Sequence, residues 1–326
     1  MGVRIELGSG DFTAAPAEVL ALLVTEGGFD KQRSFTQLDH ALGGALAAHV
    51  ANVKFRGRAD ELLDVPLLGR LAARRVVLVG IGPRRGMDAA RLRAAVASAT
   101  RSAASAASFA LVPGDHFASA ADARSIGEGV GLGAYRFTRY FTGDRAPTQA
   151  LEAVTVYPAH GRGTAAERRA LDVGLAVAAA VNLARDAVNE PPNVLTPEVL
   201  AEAARKVARE GKLKITVLDE KGIKKAGMNL HAAVGQGSAN PPRFIHLTYA
   251  PQRPKAKLVF VGKGLTFDSG GLCIKPAPGM GDMKTDMGGA ASVLGLMAAV
   301  AALRPYVEVH GIIGAAENMP DGDAYR

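Results

Sequence analysis

An α/β protein of two domains is the fold class that the sequence predicts, with each domain a mostly parallel or mixed sheet flanked by helices and a long helix joining the two. Short apolar runs of strand length alternate with helical patterns, as in sheets covered on both faces by helices. At 326 residues and 48% hydrophobic content, the chain can build about two domains with cores of their own. A continuous helical stretch at 164–190 supplies the expected connection.

The first 163 residues are expected to form an N-terminal α/β domain. Buried apolar runs indicate its strands, and amphipathic or Ala-rich stretches indicate its helices. The predicted strands are Met1–Leu7, Val19–Val24, Arg75–Gly80, Phe109–Val112 and Leu151–Tyr157. The predicted helices are Leu38–Val50, Ala89–Ala107 and a third from an N-cap at Ser119 to about Tyr135.

The connecting helix has a start signal in its sequence. Thr164 and Glu167 have the spacing of a capping box, in which each side chain satisfies a free backbone N–H group of the first turn. The Pro191-Pro192 pair ends the helical pattern, because proline lacks the N–H group that a helix interior requires. Residues 164–190 are therefore assigned to the connection.

Residues 191–326 are expected to form the second domain, with the same alternation. Thr196 followed by Pro197 is a typical N-cap and first helical residue. The predicted helices are Pro197–Glu210, Lys221–Ala226 and Gly288–Leu303. The predicted strands are Lys214–Leu218, Arg243–Tyr249, Lys257–Val261 and Tyr306–Ile313.

Composition narrows the function classes. The net charge is +8 and the pI about 9.7, but the basic excess is spread along the chain, and aromatic residues make up only 5%. Stacking platforms for single-stranded nucleic acid are therefore not expected, although contact with a duplex backbone stays open. We find no apolar run of the roughly 18–20 residues that span a membrane and no signal peptide, and expect a cytoplasmic protein. Cys273 is the only cysteine and is expected to be a small buried residue.

A Gly-rich segment after the predicted strand Lys257–Val261 contains charged residues among glycines and apolar residues. Lys263, Asp268 and Lys275 lie in it, and Asp286 precedes the predicted helix at Gly288. Carboxylates suit Mg²⁺, Mn²⁺ or Zn²⁺, and a lysine can be a metal ligand only as a neutral amine. The spacing alone leaves three alternatives open: surface salt bridges, a metal site, or a phosphate-binding loop.

The stretch Val261–Ala291 closely resembles the leucine aminopeptidase family of dinuclear metallo-exopeptidases. The resemblance continues in residues 189–197 and 314–320 and covers about residues 170–326. It implies an incomplete metallopeptidase catalytic domain at 191–326 that removes N-terminal, preferably apolar Leu-like residues from peptides. It also implies two divalent cations per subunit, Mn²⁺ or Zn²⁺, and a homo-hexamer.

The resemblance also implies roles for single residues. Lys263 resembles the lysine ligand of one metal, Asp268 the aspartate shared by both metals, and Asp286 the second aspartate on the lysine-bound metal. Lys275 resembles the catalytic lysine that polarises the scissile carbonyl. Met283 resembles a residue of the pocket for the substrate's first side chain.

One departure from the family is large. Its signature Asn-Thr-Asp-Ala-Glu-Gly-Arg, which carries two further metal ligands and an arginine, would fall shortly after Arg326. We therefore expect a piece of a longer polypeptide, or a non-catalytic remnant, and expect residues 1–326 alone to bind metal weakly without peptidase activity. The alternative from a different class is a DNA-binding or regulatory module, suggested by the basic charge.

Two other signals carry little weight. The segment Gly80–Gly86 follows a strand, but its third glycine is one residue late for a dinucleotide-binding loop and Pro83 interrupts it. The histidines show no His-Glu-x-x-His pattern, and Gly-x-Ser-x-Gly is absent, so zincin and α/β-hydrolase sites are not expected.

Overall fold

The computed structural model describes residues 3–325, and the chain divides after Ala179 into two compact units. Each unit contains one sheet flanked by helices, so the expected fold class is confirmed. The helix that we call α5, Ala165–Asn189, continues through the division. The Thr164 hydroxyl accepts the Glu167 N–H group while the Glu167 carboxylate accepts the Thr164 N–H group, as predicted for its start.

The first unit has a six-stranded sheet in the order β1-β6-β5-β2-β4-β3. All neighbouring pairs are parallel except β3 with β4. Its strands are β1 Arg4–Leu7, β2 Val19–Val24, β3 Leu62–Pro66, β4 Arg75–Gly80, β5 Ser108–Val112 and β6 Ala153–Val156. Met1 and Gly2 of the first predicted strand lie outside the described residues.

Helices cover both faces of this sheet. The helices α1 and α2 pack on one face, and α3, α4 and the first part of α5 pack on the other. Strand β2 contributes alternate side chains to both cores and is buried along its whole length. Full burial of such aliphatic side chains stabilises the fold by about 1.5–3 kcal/mol each. The helices are α1 Arg33–Ala41, α2 Ala45–Asn52, α3 Ala89–Ser102 and α4 Ala120–Gly133.

One prediction for the first unit was wrong, and one of its strands was not predicted. The predicted helix Leu38–Val50 is two helices, because Gly43 and Gly44 both have positive φ angles, 66° and 82°, which end one helix and start the next. Strand β3 was missed, because it is a short edge strand with only partial burial and a weak hydrophobic signal.

The second unit has a four-stranded sheet in the order β7-β8-β10-β9, in which only β9 and β10 are parallel. Its strands are β7 Lys214–Leu218, β8 Arg243–Tyr249, β9 Lys257–Asp268 and β10 Glu308–Asn318. Its other helices are α6 Pro197–Gly211, α7 Glu220–Lys225, α8 Asn229–Val234 and α9 Gly288–Leu303. A core under α6 and α9 buries one face of the sheet, and β9 forms an edge.

The segment Met280–Leu303 is long and apolar enough to cross a membrane by length and composition, although Asp282, Lys284 and Asp286 interrupt its apolar pattern. Half of this apolar stretch is buried inside the fold. Helix α9 forms its main part and packs on the sheet, where Gly262 and Gly289 allow close backbone approach. A Cβ atom on Gly262 would lie 2.5 Å from the Gly289 carbonyl oxygen. This burial accounts for the apolar character of the helix.

Candidate metal centre

Asp268 is the last residue of β9, not a residue of a turn after a shorter strand, as the sequence had suggested. The parallel register with β10 shifts between Leu265 and Phe267, so Thr266 is an extra residue on β9. Side chains alternate between the faces of a strand, and five residues of regular strand would put Lys263 and Asp268 on opposite faces. The bulge at Thr266 instead brings both to the same face of the sheet.

The Asp268 carboxylate is buried, with 8% of the residue exposed, and it accepts three hydrogen bonds. Lys275 Nζ donates to Oδ2 over 2.6 Å, while the Gly270 N–H group and Asn318 Nδ2 donate to Oδ1 over 3.0 and 2.7 Å. Burial opposes ionisation, but these hydrogen bonds, led by that from Lys275, outweigh it and lower the pKa of Asp268. The structure therefore holds a charged carboxylate at the end of the edge strand.

A glycine turn returns the chain from Asp268 to Lys275. Gly270 has a φ of 91°, and a Cβ atom there would lie 2.3 Å from the Cys273 carbonyl oxygen, so the turn requires glycine. The Lys275 N–H group closes the turn by donating to the Ser269 carbonyl oxygen over 2.9 Å. Cys273 is exposed in this turn, so its expected burial was wrong. The turn exposes Leu272 and Ile274 while its backbone positions Lys275.

Lys263 and Asp286 form the second ion pair of the segment. The Lys263 Nζ atom lies 2.8 Å from Asp286 Oδ2. That oxygen is buried, and the contact lacks hydrogen-bond geometry, so Oδ2 accepts no hydrogen bond among the described residues. Asp286 lies two residues before α9, which begins at Gly288 as predicted. The Lys263 ammonium offsets part of the cost of burying this carboxylate oxygen, although their contact is not a hydrogen bond.

Two neighbours of Asp286 hold this region in place. The Lys284 ammonium donates to the carbonyl oxygens of Val188 and Asn189 over 3.0 and 3.1 Å, at the carboxyl end of α5. The Met283 sulfur accepts a contact from Lys275 Nζ over 3.0 Å. Lys284 thus joins the segment before α9 to the end of α5, and Met283 packs against Lys275.

The four charged residues from the sequence therefore form two pairs, Lys263 with Asp286 and Lys275 with Asp268. Within residues 3–325 no group of three His, Cys, Asp or Glu side chains is arranged to hold a metal ion. The donor set is two carboxylates and one lysine nitrogen. Carboxylate oxygens and a neutral amine suit a divalent cation such as Mn²⁺ or Zn²⁺, and the buried Asp286 oxygen, which faces Lys263 Nζ without a hydrogen bond, fits such a cation.

Comparison with known proteins matches both parts of the chain to one family. Residues 182–326 match the model "Cytosol aminopeptidase family, catalytic domain", and residues 10–143 match the N-terminal domain model of that family. The chain belongs to the cytosol aminopeptidase family. The expected family resemblance is thereby confirmed.

Its relatives in that family are longer. The chain is 42% identical over 301 residues to a probable cytosol aminopeptidase of Persephonella marina, covering 89% of this chain and 59% of the relative. It is 44% identical over 285 residues to a probable cytosol aminopeptidase of Aquifex aeolicus, covering 86% and 56%. The chain thus spans little more than half the length of these relatives.

Two solved structures share the fold. A mutant of tomato leucine aminopeptidase has a TM-score of 0.84 and 32% identity, covering 99% of this chain and 64% of that one. The bottromycin maturation enzyme BotP in complex with Mn has a TM-score of 0.77 and 35% identity, covering 95% of this chain and 62% of that one.

Two residues of the site have no counterpart in the sequence predictions. Asn318 lay in a recognised family segment, yet its hydrogen bond to Asp268 follows from the register of β9 and β10, which a single sequence does not reveal. Lys284 lies within the family-like stretch Val261–Ala291, but no role was assigned to it. Its position between Met283 and Asp286 was the available signal, but its carbonyl partners are 95 and 96 residues away in sequence.

Proposed function

We propose that the second unit carries the metal centre of an aminopeptidase that removes N-terminal, preferably apolar residues from peptides in the cytoplasm. The observation that carries this proposal is the buried Asp286 oxygen, which faces Lys263 Nζ at 2.8 Å without a hydrogen bond. Membership of the cytosol aminopeptidase family supports the reaction class. The assembly that we propose for the whole protein is a homo-hexamer.

In this proposal Lys263 and Asp286 hold one divalent cation, and Asp268 is shared with a second. Lys263 Nζ lies 2.8 Å from Asp286 Oδ2, and this proximity supports the assignment of both groups to the same ion. Mn²⁺ or Zn²⁺ suits this donor set, and BotP was solved in complex with Mn. The chemistry supplied by such ions is activation of a water molecule and polarisation of a peptide carbonyl.

Lys275 and Met283 act on the substrate in this proposal. The Lys275 ammonium, held by Asp268 on one side and the Met283 sulfur on the other, is a positioned donor for the scissile carbonyl oxygen. A fixed donor aimed at developing negative charge stabilises the transition state without reorganisation. Met283 lines the space for the first side chain, beside this donor.

Residues 1–326 alone are proposed to bind divalent cations weakly and to lack peptidase turnover. Lys263, Asp268 and Asp286 provide three ligands for two ions, and divalent cations prefer about four to six donors each. An assay with leucine p-nitroanilide and added Mn²⁺ tests this directly. Robust turnover by the 326-residue chain would refute the claim that further ligands are essential.

Recognition of a free α-amine tests the function independently of turnover. We expect the chain in excess Mn²⁺ to bind the dipeptide Leu-Gly more tightly than N-acetyl-Leu-Gly, because an aminopeptidase must select the unblocked amine. Isothermal titration calorimetry measures both affinities. Asp268→Asn should remove the preference, and equal binding of the two peptides to the wild-type chain would contradict the proposed function.

A further inference from the structure

A cavity of about 370 Å³ lies at the carboxyl ends of the parallel strands in the first unit. Strands β2 and β5 are neighbours there, and their connections leave to opposite faces of the sheet. The chain after β2 continues to α1 on one face, whereas the chain after β5 continues to α4 on the other. Such a divergence opens a crevice at the sheet edge, which is the usual ligand position in open α/β sheets.

Opposite charges line this cavity about one helical turn apart. Asp11, from the loop after β1, and Arg33, the first residue of α1, are both part of its wall. Gln37 lies four residues after Arg33 on the same helix face, and its Nε2 donates to Asp11 Oδ1 over 2.8 Å. Residues at this spacing are about 5–6 Å apart between Cβ atoms, so Arg33 and the residue that contacts Asp11 are neighbours along the cavity wall.

The Arg33 end of the cavity is suited to a carboxylate. The Gln32 side chain makes no capping hydrogen bond at the start of α1, and the N-terminus of this helix favours negative charge. The Ser34 hydroxyl lies there too. Gly114, two residues after β5, leaves little room beside it, because a Cβ atom on Gly114 would lie 3.3 Å from Ser34 Oγ. Arg33, Ser34 and the N-terminus of α1 therefore lie in the same part of the cavity wall.

The Asp11 end is suited to an ammonium group. Its Oδ1 atom accepts hydrogen bonds from the Thr13 hydroxyl, the Thr13 N–H group and Gln37, which fix the carboxylate while Oδ2 accepts none of these bonds. The hydrogen bonds from Thr13 lower the pKa of Asp11, so the group is charged at neutral pH. Asp115, also in the wall, lies 3.9 Å from Arg84, which offsets its charge.

Buried apolar side chains complete the wall. Phe12, Val112 and Tyr157 line the cavity and are each buried, as is Pro158. The Tyr157 ring also packs against Gly8, where a Cβ atom would lie 2.8 Å from it. The cavity thus combines one fixed carboxylate, one cation with neighbouring donors, and an apolar surface, at the smaller end of the volumes that ligand pockets have.

We propose that this cavity binds a free amino acid with an apolar side chain. The α-carboxylate binds Arg33, Ser34 and the N–H groups of α1, the α-ammonium binds Asp11, and the side chain packs on Phe12, Val112 and Tyr157. The site lies wholly within the first unit and does not rest on the proposed peptidase function of the second.

Isothermal titration of the 326-residue chain with L-leucine tests the proposal, in EDTA so that no metal-dependent binding contributes. We expect saturable binding that weakens at least about tenfold for isopentylamine, which lacks the carboxylate, and for 4-methylpentanoate, which lacks the ammonium. Arg33→Gln and Asp11→Asn should each weaken L-leucine binding by a similar factor. An asparagine side chain can still accept the hydrogen bond from the Thr13 N–H group, so Asp11→Asn removes the charge but keeps that hydrogen bond.

Matched controls remove the same charges elsewhere in the first unit. Arg101→Gln changes an exposed arginine at the end of α3, and Asp60→Asn changes an exposed aspartate with a φ of 64°, which asparagine tolerates. Both controls should bind L-leucine within about twofold of the wild type. Any of three results would overturn the proposal. These are the absence of saturable L-leucine binding to the wild type, equal binding of the three ligands, and an unchanged affinity for L-leucine in Arg33→Gln and Asp11→Asn. Failure of the second unit to prefer Leu-Gly over N-acetyl-Leu-Gly would contradict the proposed peptidase function but would not affect this amino-acid site.

Discussion

Replacement of Lys275 by methionine tests the ion pair that holds Asp268. The substitution keeps the length of the side chain but removes one of the three hydrogen bonds to the Asp268 carboxylate. A net hydrogen bond to a charged group contributes about 1.5–3 kcal/mol. Because 35% of the Lys275 side chain is exposed, water replaces part of the lost contact. We therefore expect Lys275→Met to lower the free energy of unfolding by about 1.5 kcal/mol at pH 7, the lower end of this range.

The loss should depend on pH in a defined direction. The hydrogen bonds lower the pKa of Asp268 in the folded state, so their stabilisation is present above the pKa of the unfolded chain and is lost as the pH falls through the folded value. Wild type and Lys275→Met should therefore differ at pH 7 and converge once Asp268 is protonated in both. Unfolding by urea in EDTA, followed by far-UV circular dichroism, measures the difference at each pH.

A double-mutant cycle separates the ion pair from other effects of the substitution. Asp268→Asn and the double variant complete the cycle, and we expect a coupling free energy of about 1 kcal/mol at pH 7. Lys255→Met, at an exposed position before β9, is the matched control and should change stability by less than about 0.5 kcal/mol. A coupling of zero, or the same Lys275→Met penalty at acid and neutral pH, would refute the assignment of an ionised Asp268 held by Lys275.

Three further substitutions have expected outcomes. Gly262→Ala should lower the unfolding midpoint, because its Cβ atom would meet the Gly289 carbonyl oxygen at 2.5 Å; an unchanged midpoint by circular dichroism would show that α9 does not approach β9 this closely. Thr164→Ala should cost about 1 kcal/mol in urea unfolding, whereas Thr164→Ser, which keeps the cap, should cost less. Asn318→Ala should raise the pKa of Asp268 in a carboxyl-detected NMR titration, and an unchanged titration would contradict the 2.7 Å hydrogen bond.

Local signals were sufficient for much of the fold. The caps at Ser119 and Thr196 accept the N–H groups three residues later, as the sequence predicted, because capping depends only on neighbouring residues. The buried strand Val19–Val24 has its predicted bounds, since a continuous apolar run suits a central parallel strand. Helix breaking at Gly43 and Gly44 was missed because glycine permits, but does not require, a positive φ.

The arrangement of the candidate site was less accessible from sequence. The residue types at Lys263, Asp268 and Asp286 indicated a cation site, but which side chains share a face depends on the bulge at Thr266. That bulge is defined by the pairing of β9 with β10, whose residues lie about fifty positions later in the chain. The pairing partners and the Asn318 hydrogen bond are consequences of tertiary register, which periodicity within one strand does not encode.

The central claim, that the second unit binds a divalent cation through these carboxylates, is tested most directly by a Mn²⁺ titration of the 326-residue chain followed by electron paramagnetic resonance. We predict that Asp268→Asn and Asp286→Asn each weaken Mn²⁺ binding at least about tenfold. Asp282→Asn, a control at an exposed carboxylate in the same segment, should leave binding unchanged. Equal Mn²⁺ affinity in the wild type and both site variants would contradict the account.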